Sequence, residues 1–310
     1  MEEKIRIENV TKKFGSYAAL DGISLSFEKG KIHGMIGRNG SGKTVLFKCI
    51  CGFLRVDDGA VFVDGKQIGK EIEAPESIGA IIETPGFLPG YSARQNLQFL
   101  AGIRRKIGKK EIDEAIRKVG LDPEAKKHVG KYSLGMRQRL GIAQAIMEEP
   151  SLLILDEPMT GLEPNQLEEI RHLIKETGKK KTVLLSTHMM QEVEAICDRV
   201  IIINQGKIVA DRPIGEICTH ADEGMVLRVE FSPGSDTHWL SKSELFTHTS
   251  QQAPNCWRLT SPQGKDPREA LFFEAAVRRC PIIALHTEVY QLEDIFHRYT
   301  QNFPAKPGKD

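Results

Sequence analysis

A glycine-rich segment, GRNGSGKT, is the clearest candidate for chemistry in this 310-residue sequence. It fits the spacing G-x-x-x-x-G-K-[ST], in which glycines allow successive backbone N–H groups to face a phosphate. It also opens a predicted helix, and the N-terminus of a helix attracts anions. We therefore predict a phosphate-binding loop formed by Gly37, Arg38, Asn39, Gly40, Ser41, Gly42, Lys43 and Thr44.

Two residues at the end of this loop have specific expected roles. Lys43 would neutralise the β and γ phosphates of a nucleotide, and Thr44 would offer its hydroxyl to Mg²⁺. The alternative is a glycine-rich turn that matches the spacing by chance. That alternative is disfavoured because the apolar run IHGMI comes before the loop and a helical pattern follows it.

Polar side chains end two further apolar runs. SLLILDEP ends in Asp156, which would hold Mg²⁺ through water, and Glu157, which would orient and polarise an attacking water. LLSTH ends in His188, which can donate a hydrogen bond to a γ phosphate. An ordinary acidic strand end and a capping histidine are the alternatives. The presence of the phosphate loop favours phosphoryl transfer to water instead.

The elements that must position these residues alternate between apolar runs and helical patterns up to about Ala210. Some runs are almost wholly apolar, as strands buried on both faces are, and each is followed by a turn and a helical pattern. Other runs alternate in hydrophobicity, as half-buried antiparallel strands do. This order predicts an α/β fold with a mostly parallel core sheet and an antiparallel β layer. The apolar runs are IHGMIG, SLLILD and TVLLST, and the alternating runs are KIRIEN, GISLSFE and GAVFVDG.

The sequence also predicts a division into domains. Between about Phe87 and Pro150 there are helical patterns and no strand, which indicates an inserted helical subdomain. From about Gly215 the pattern changes to strands, a helix, a further strand and a final helix, QLEDIFHRYT. We predict one α/β domain at 1–215, with its helical subdomain at about 87–150, and a small α+β domain at 216–310.

The composition limits the possible partners. The 43 basic and 42 acidic residues nearly cancel, whereas a nucleic-acid partner requires a basic excess. The apolar runs are far shorter than the roughly 20 residues needed to cross a bilayer, and the N-terminal residues do not resemble a signal peptide. Six cysteines without a C-x-x-C pair indicate reduced thiols of a cytosolic protein. A membrane role would therefore require a separate partner.

Five motifs, in their order and spacing, resemble the nucleotide-binding domain of ATP-binding cassette (ABC) proteins. The resemblance implies an ATPase that binds two ATP molecules, with Mg²⁺, between two cassettes. YSLGM then takes the place of the signature motif, usually LSGGQ. Its Ser133 and Gly135 would contact the γ phosphate of ATP bound to the other subunit. The five motifs are GRNGSGKT, YSLGMRQRL, LLILDEP, TGLEP and LLSTH, between Met1 and about Gly215.

Three further positions acquire expected roles from this resemblance. Phe14 takes the place of the aromatic residue that stacks on adenine, with a core phenylalanine as the alternative. Glu163, in TGLEP, replaces the usual aspartate of the turn that crosses the dimer interface. Glu83 stands where the family usually has a glutamine that contacts Mg²⁺ and the attacking water. A carboxylate there would be repelled by the triphosphate unless Mg²⁺ or water bridges them, and a solvated strand-end carboxylate is the alternative.

Glu83 followed by TPGF, SLGM in the signature, and the small C-terminal domain resemble the bacitracin- and lantibiotic-resistance branch of ABC exporters. The resemblance implies a separate transmembrane permease, docked between Phe87 and Lys109, that holds the chain at the inner face of the membrane. The implied cargo is a peptide antibiotic or a related amphiphile. Exporters of drugs, polysaccharides or lipids, importers, and non-transport ABC ATPases stay open as alternatives. Pairing with a second copy or with a paralogue is equally open.

Overall fold

The computed structural model describes residues 2–83, 85–217, 224–288, 292–293 and 295–296. Two compact units are present, of which one extends to Pro213 and the other spans Ile214–Arg298. The strands are β1 (Glu3–Phe14), β2 (Tyr17–Glu28), β3 (Ile32–Ile36), β4 (Asp58–Val63), β5 (Lys66–Gln67), β6 (Ile78–Ile81), β7 (Leu152–Asp156), β8 (Thr182–Thr187), β9 (Arg199–Asn204), β10 (Lys207–Pro213), β11 (Val226–Phe231), β12 (His248–Ala253), β13 (Cys256–Thr260) and β14 (Ile282–Glu288). The helices are α1 (Lys43–Ile50), α2 (Ala93–Arg104), α3 (Lys109–Lys118), α4 (Leu134–Ile146), α5 (Pro164–Gly178), α6 (Met190–Ile196), α7 (Ile214–Ile217) and α8 (Arg268–Val277).

The central sheet of the first unit has the strand order β10-β9-β3-β8-β7-β6. Its strands are parallel except β10, which pairs antiparallel with β9 at one edge. Every residue of β3, β7 and β8 is buried, which explains why these strands are almost wholly apolar. Because the strands are parallel, their carboxyl ends lie along one edge of the sheet, and the candidate residues follow them there. The predicted α/β fold is confirmed.

The second sheet, β2-β1-β4-β5, is antiparallel and packs its apolar face against α1. β1 and β2 each extend over 12 residues, well beyond the predicted KIRIEN and GISLSFE. Register shifts along their pairing interrupt the alternation of side chains, so the hydrophobic pattern ends before the strands do. A turn containing Gly15, at φ 60°, joins them and places Phe14 opposite Tyr17.

Helices α2, α3 and α4 lie between β6 and β7 in the chain, where the helical subdomain is predicted. Ser92 caps α2, and the Arg94 guanidinium joins α2 to α3 through two hydrogen bonds to Asp113, at 2.6 and 3.0 Å. Across the described residues, none of the helices is both long enough and apolar enough to span a membrane.

Helix α4 is packed very closely on β6. A Cβ atom at Gly79 would lie 1.8 Å from the carbonyl oxygen of Ala145, so only glycine permits this approach. At Gly141, on the same helix, a Cβ would lie 2.8 Å from Cγ of Pro85, just beyond β6. The helix that begins at the signature segment is therefore fixed to the strand that leads to Glu83.

The second unit is an antiparallel sheet of order β12-β13-β11-β14 covered by α8. Leu271 and Ala275 of α8 are buried in one apolar cluster with Val229, Phe231 and Leu259 of the sheet. The strand β12, HTSQQA, was not predicted because it is polar and none of its residues is buried. The predicted final helix, QLEDIFHRYT, lies largely outside the described residues.

Candidate nucleotide-binding site

The predicted phosphate loop joins β3 to α1, and close backbone packing restricts both of its ends to glycine. A Cβ at Gly37 would lie 2.5 Å from the carbonyl oxygen of Ile203. Gly42 has φ 114°, and a Cβ there would lie 2.6 Å from the carbonyl oxygen of Ala19. Among the described residues no side chain caps α1 at Gly42. The first N–H groups of the helix are therefore available to an anion.

Lys43 points into the loop that precedes it, and its side chain is only 6% exposed. Its Nζ donates hydrogen bonds to the carbonyl oxygens of Gly37, at 2.7 Å, and Arg38, at 3.4 Å. Burial lowers the pKa of Lys43, and the negative charges of Glu157 and Asp156 counter part of this effect. The loop thus holds a cation against its own carbonyl groups, which phosphate oxygens could replace as partners.

The hydroxyl of Thr44 and the carboxylate of Asp156 form the second part of the site. Thr44 Oγ1 donates to Asp156 Oδ2 at 2.7 Å, and the Ser186 hydroxyl donates to Oδ1. These oxygens fit Mg²⁺, which in nucleotide sites is held by one or two carboxylates and the phosphates. Within the described ranges, no group of three or more His, Cys, Asp or Glu side chains could hold a metal. The donor set therefore suits an ion that arrives with a phosphate.

Glu157 follows β7 in the left-handed conformation, at φ 50°. Its N–H bonds to Ser186, and its Oε2 accepts from Thr160 at 2.9 Å and lies 2.8 Å from Nδ1 of His188. Its Oε1 is buried and has no hydrogen-bond partner in the part of the chain that the structure describes, although Lys43 Nζ is 3.8 Å away. One oxygen is fixed, and the buried one keeps an unused capacity to accept a hydrogen bond.

A cavity of about 360 Å³ adjoins the loop, within the size range of small-molecule sites. It is lined by Phe14, Tyr17, Ala19, residues 39–45 and Glu157. Phe14 is 49% exposed, which excludes the alternative of a core residue. Tyr17, whose hydroxyl donates to the carbonyl oxygen of Gly40 at 2.9 Å, was missed from the sequence. Its aromatic character so close to Phe14 was the available signal.

The signature segment does not line this cavity. Ser133 caps α4, and its Oγ accepts a hydrogen bond from the Met136 N–H at 3.2 Å. Gly135 is packed against α5, since a Cβ there would lie 2.2 Å from Oε1 of Gln166. The chain therefore does not bring Ser133 and Gly135 to its own phosphate loop. Contact with a nucleotide on a second subunit stays a prediction.

Glu83 is also outside the lining of the cavity. It follows β6 with φ 62°, and its Oε1 accepts a hydrogen bond from Lys48 Nζ at 2.6 Å. The structure thus places this predicted catalytic and metal-binding residue in an ion pair with α1. Lys48 was missed from the sequence, although its position four residues after Thr44 puts both side chains on one face of the helix.

A phosphate loop between a strand and a helix, with a carboxylate pair at the end of a parallel strand beside it, defines a P-loop nucleotide hydrolase. The ABC transporter family model matches residues 20–160. The chain is 41% identical to the bacitracin transport ATP-binding protein BcrA of Enterococcus faecalis, over 70% of this chain and 71% of BcrA. It belongs to the ATP-binding proteins of ABC transporters and is accordingly an ATPase.

Two other similarities extend this result. The chain is 31% identical to the linearmycin resistance ATP-binding protein LnrL of Bacillus subtilis, over 96% of this chain and 98% of LnrL. The solved structure of cbiO1 from Clostridium perfringens, part of the ABC transporter complex cbiONQ, superposes with a TM-score of 0.63 at 28% identity. That superposition covers 70% of this chain and 91% of cbiO1. Members of the family bind ATP or ADP and work as dimers with membrane permeases.

Proposed function

We propose that the first unit is the nucleotide-binding domain of a bacterial exporter and that two copies enclose two ATP molecules. The observation that supports this most directly is the arrangement of Glu157, which has one carboxylate oxygen fixed by Thr160 and His188 and the other without a hydrogen-bond partner among the described residues. Such a carboxylate can accept a proton from water that attacks the γ phosphorus as the bond to the β phosphate breaks.

Each residue of the site then has a defined role. Lys43 and the loop N–H groups bind the β and γ phosphates, and Phe14 stacks on adenine. Mg²⁺, when bound, would be held by Thr44 and Asp156 and would offset the charge of the phosphates. His188 holds the carboxylate of Glu157 and donates to the γ phosphate. Both tasks fit the 2.8 Å separation between its Nδ1 and Glu157, because the ring has a second nitrogen.

The signature segment of one copy would complete the site of the other. The start of α4, with the Ser133 hydroxyl and the N–H groups of the first turn, suits an anion such as the γ phosphate. ATP would favour the closed pair because only that state uses both half-sites, and hydrolysis would release it. The interface would be two-fold, with a second copy or a paralogue.

The cargo and the permease follow from a different set of observations. Two relatives are named for bacitracin transport and linearmycin resistance, so we propose a peptide antibiotic or a related amphiphile as cargo. We place the permease on the helical subdomain, at residues 87–109, which would keep the chain at the inner face of the membrane. Large apolar side chains are exposed there, as docking surfaces require. They are Leu88, Tyr91, Phe99 and Ile103.

A pull-down tests this proposal. Tagged Glu157→Gln protein, which would trap ATP, is captured from detergent-solubilised membranes with MgATP, and tagged Lys43→Ala protein is the control. We expect a stoichiometric multi-span membrane protein with the first variant and much less with the second. Recovery of ribosomes, DNA-processing factors or soluble protein alone would refute a transport role. Deleting the identified permease should then increase sensitivity to bacitracin or a related amphiphile, and unchanged sensitivity would refute that cargo.

A further inference from the structure

Helix α1 presents two polar side chains, one turn apart, toward the carboxyl ends of β6 and β7. Thr44 contacts Asp156, and Lys48 contacts Glu83 at 2.6 Å between Nζ and Oε1. Residues four apart lie on the same face of a helix, roughly 5–6 Å from each other at Cβ. Glu83 is therefore bonded to the residue one helical turn after the hydroxyl that is expected to bind Mg²⁺.

The backbone places Glu83 level with the catalytic carboxylates. Ile81 pairs with Leu155 across the parallel strands β6 and β7, so Glu83 follows its strand at the level where Glu157 follows the next one. Both glutamates have left-handed backbones, at φ 62° and 50°. Non-glycine residues remain in this conformation only where their surroundings hold them, and such residues concentrate at functional sites.

Three carboxylates thus end two neighbouring strands, and each has a different partner. Asp156 accepts from two hydroxyls, and Glu157 lies 3.8 Å from the Lys43 ammonium. Glu83 forms an ion pair with the ammonium of Lys48, whose side chain is 30% exposed. A glutamine at this position could not form an ion pair, so the charge of Glu83 is what gives Lys48 a distinct task.

We propose that Lys48 is a positioning residue that keeps Glu83 neutralised and directed toward α1 until Mg²⁺, bound with ATP, competes with the Lys48 ammonium for the same carboxylate. This inference rests on the proposed function of the site. A competing ammonium weakens divalent-ion binding but orients the carboxylate before the ion arrives. Removal of Lys48 therefore has two opposite effects, tighter binding of the divalent ion and slower hydrolysis.

The test measures Mn²⁺, as a paramagnetic substitute for Mg²⁺, bound to the Glu157→Gln protein with ATP. Titrations followed by electron paramagnetic resonance compare this protein with Lys48→Gln and Lys48→Arg versions. We expect Lys48→Gln to lower the Mn²⁺ dissociation constant about two- to fivefold, the range for a partly exposed ion pair. Lys48→Arg keeps the positive charge, so its Mn²⁺ dissociation constant should stay within about twofold of that of the protein with Lys48. In the Glu157 form, kcat of Lys48→Gln should fall by a similar factor.

Two controls separate this role from a general charge effect. Lys66 forms a similar ion pair with Glu76 on another surface, at 2.6 Å between Nζ and Oε1. Lys66→Gln should therefore change neither the Mn²⁺ dissociation constant nor kcat. In a Glu83→Gln background, Lys48→Gln should no longer tighten Mn²⁺ binding. Glu83→Gln alone removes the carboxylate of the pair and should therefore weaken Mn²⁺ binding.

The outcomes are distinct. Equal Mn²⁺ affinity of Lys48→Gln and Lys66→Gln, or a Lys48 effect that survives in Glu83→Gln, would overturn the proposal. If the unmodified chain neither binds Mn²⁺ with ATP nor hydrolyses ATP, the proposed site itself fails. If it does both and Lys48→Gln has no effect, only the role of Lys48 fails.

Discussion

The phosphate loop and the signature segment, the two parts that would enclose one nucleotide, differ in how far a single chain prepares them. In the loop, Lys43 is buried and bonded, and Thr44 is fixed to Asp156. In the signature segment, Ser133 is exposed and its hydroxyl caps its own helix. The loop borders a cavity of about 360 Å³, whereas the signature segment does not line it.

Under the proposed function, this difference gives nucleotide binding and hydrolysis separate requirements. A preformed loop binds phosphate without rearrangement, so one chain should suffice for nucleotide binding. A segment that contributes only across an interface acts after two chains meet, so hydrolysis should depend on protein concentration. Substitutions in the two parts should therefore affect different measurements.

The largest effect on ATPase activity is expected at Glu157, which under the proposed function acts only in the chemical step. Glu157→Gln removes the proton acceptor but keeps the side-chain size, so kcat should fall roughly 10²- to 10⁴-fold. The dissociation constant for ATP should change little, and the ATP-bound dimer should accumulate on size exclusion. A fall in kcat of less than tenfold would show that another group accepts the proton.

Lys43→Ala tests the loop by itself. Loss of a charged hydrogen-bonding partner costs about 1.5–3 kcal/mol, which weakens binding of a nucleotide about 10- to 150-fold. Titration of a fluorescent ATP analogue into dilute, monomeric protein measures this constant. Nearly unchanged binding by the monomer would contradict the idea that the loop alone holds the phosphates.

Ser133→Ala tests the signature segment. We expect ATPase activity to fall roughly tenfold, as for one lost hydrogen bond to a charged group, with nucleotide binding by the monomer unchanged. The substitution also removes a helix cap, which costs about 1 kcal/mol. Ser92→Ala removes the matching cap of α2 and is the control. Comparable losses of ATPase activity in both variants would assign the effect to helix stability.

Mixing the two kinds of variant sharpens the comparison. A pair of one Lys43→Ala chain and one Ser133→Ala chain contains one site with both defects and one site with neither. The mixture should therefore be more active than either variant alone at the same total concentration. An activity equal to the mean of the two would refute the exchange of signature segments between chains.

The smallest expected effect is a pH dependence of folding stability that comes from His33, on the strand that leads into the phosphate loop. The ring is buried, and its Nε2 lies 3.0 Å from the carbonyl oxygen of Glu28. Burial lowers its pKa from the ordinary 6.5, only partly countered by that hydrogen bond. Arg199, Glu28 and Asp198 are the charged groups that act on it.

Because the pKa of His33 is lower in the folded chain than in the unfolded chain, acid destabilises the fold. Below about pH 6.5 the unfolded chain binds a proton that the folded chain excludes, so stability falls as pH falls toward the lower pKa of the folded state. The slope is at most about 1.4 kcal/mol per pH unit. Urea midpoints at pH 7.5 and 5.5 should differ less for His33→Gln than for the unmodified chain. His172→Gln, on the surface of α5, is the control, and an equal shift in all three proteins would contradict this account.

Much of the fold was predictable because its strongest signals are local. Almost wholly apolar runs identified β3, β7 and β8, and spacing within eight residues identified the phosphate loop. The polar strand β12 was missed because only its pairing with β13 defines it. Lys48 was missed because its partner, Glu83, lies 35 residues further along the chain. Local pattern therefore predicts elements and loops, whereas partnerships between distant side chains require the structure.

The close approach at Gly79 has a mechanical consequence. With the strand backbone almost touching the carbonyl of Ala145, and Gly141 likewise against Pro85, no compressible layer separates β6 from α4. Strand β6 leads to Glu83, and α4 begins directly after Ser133, so both residues belong to one closely packed strand–helix pair. We therefore expect a displacement of Glu83 by a bound ion to be transmitted through this contact to Ser133, at the surface that the proposed dimer offers to its neighbour.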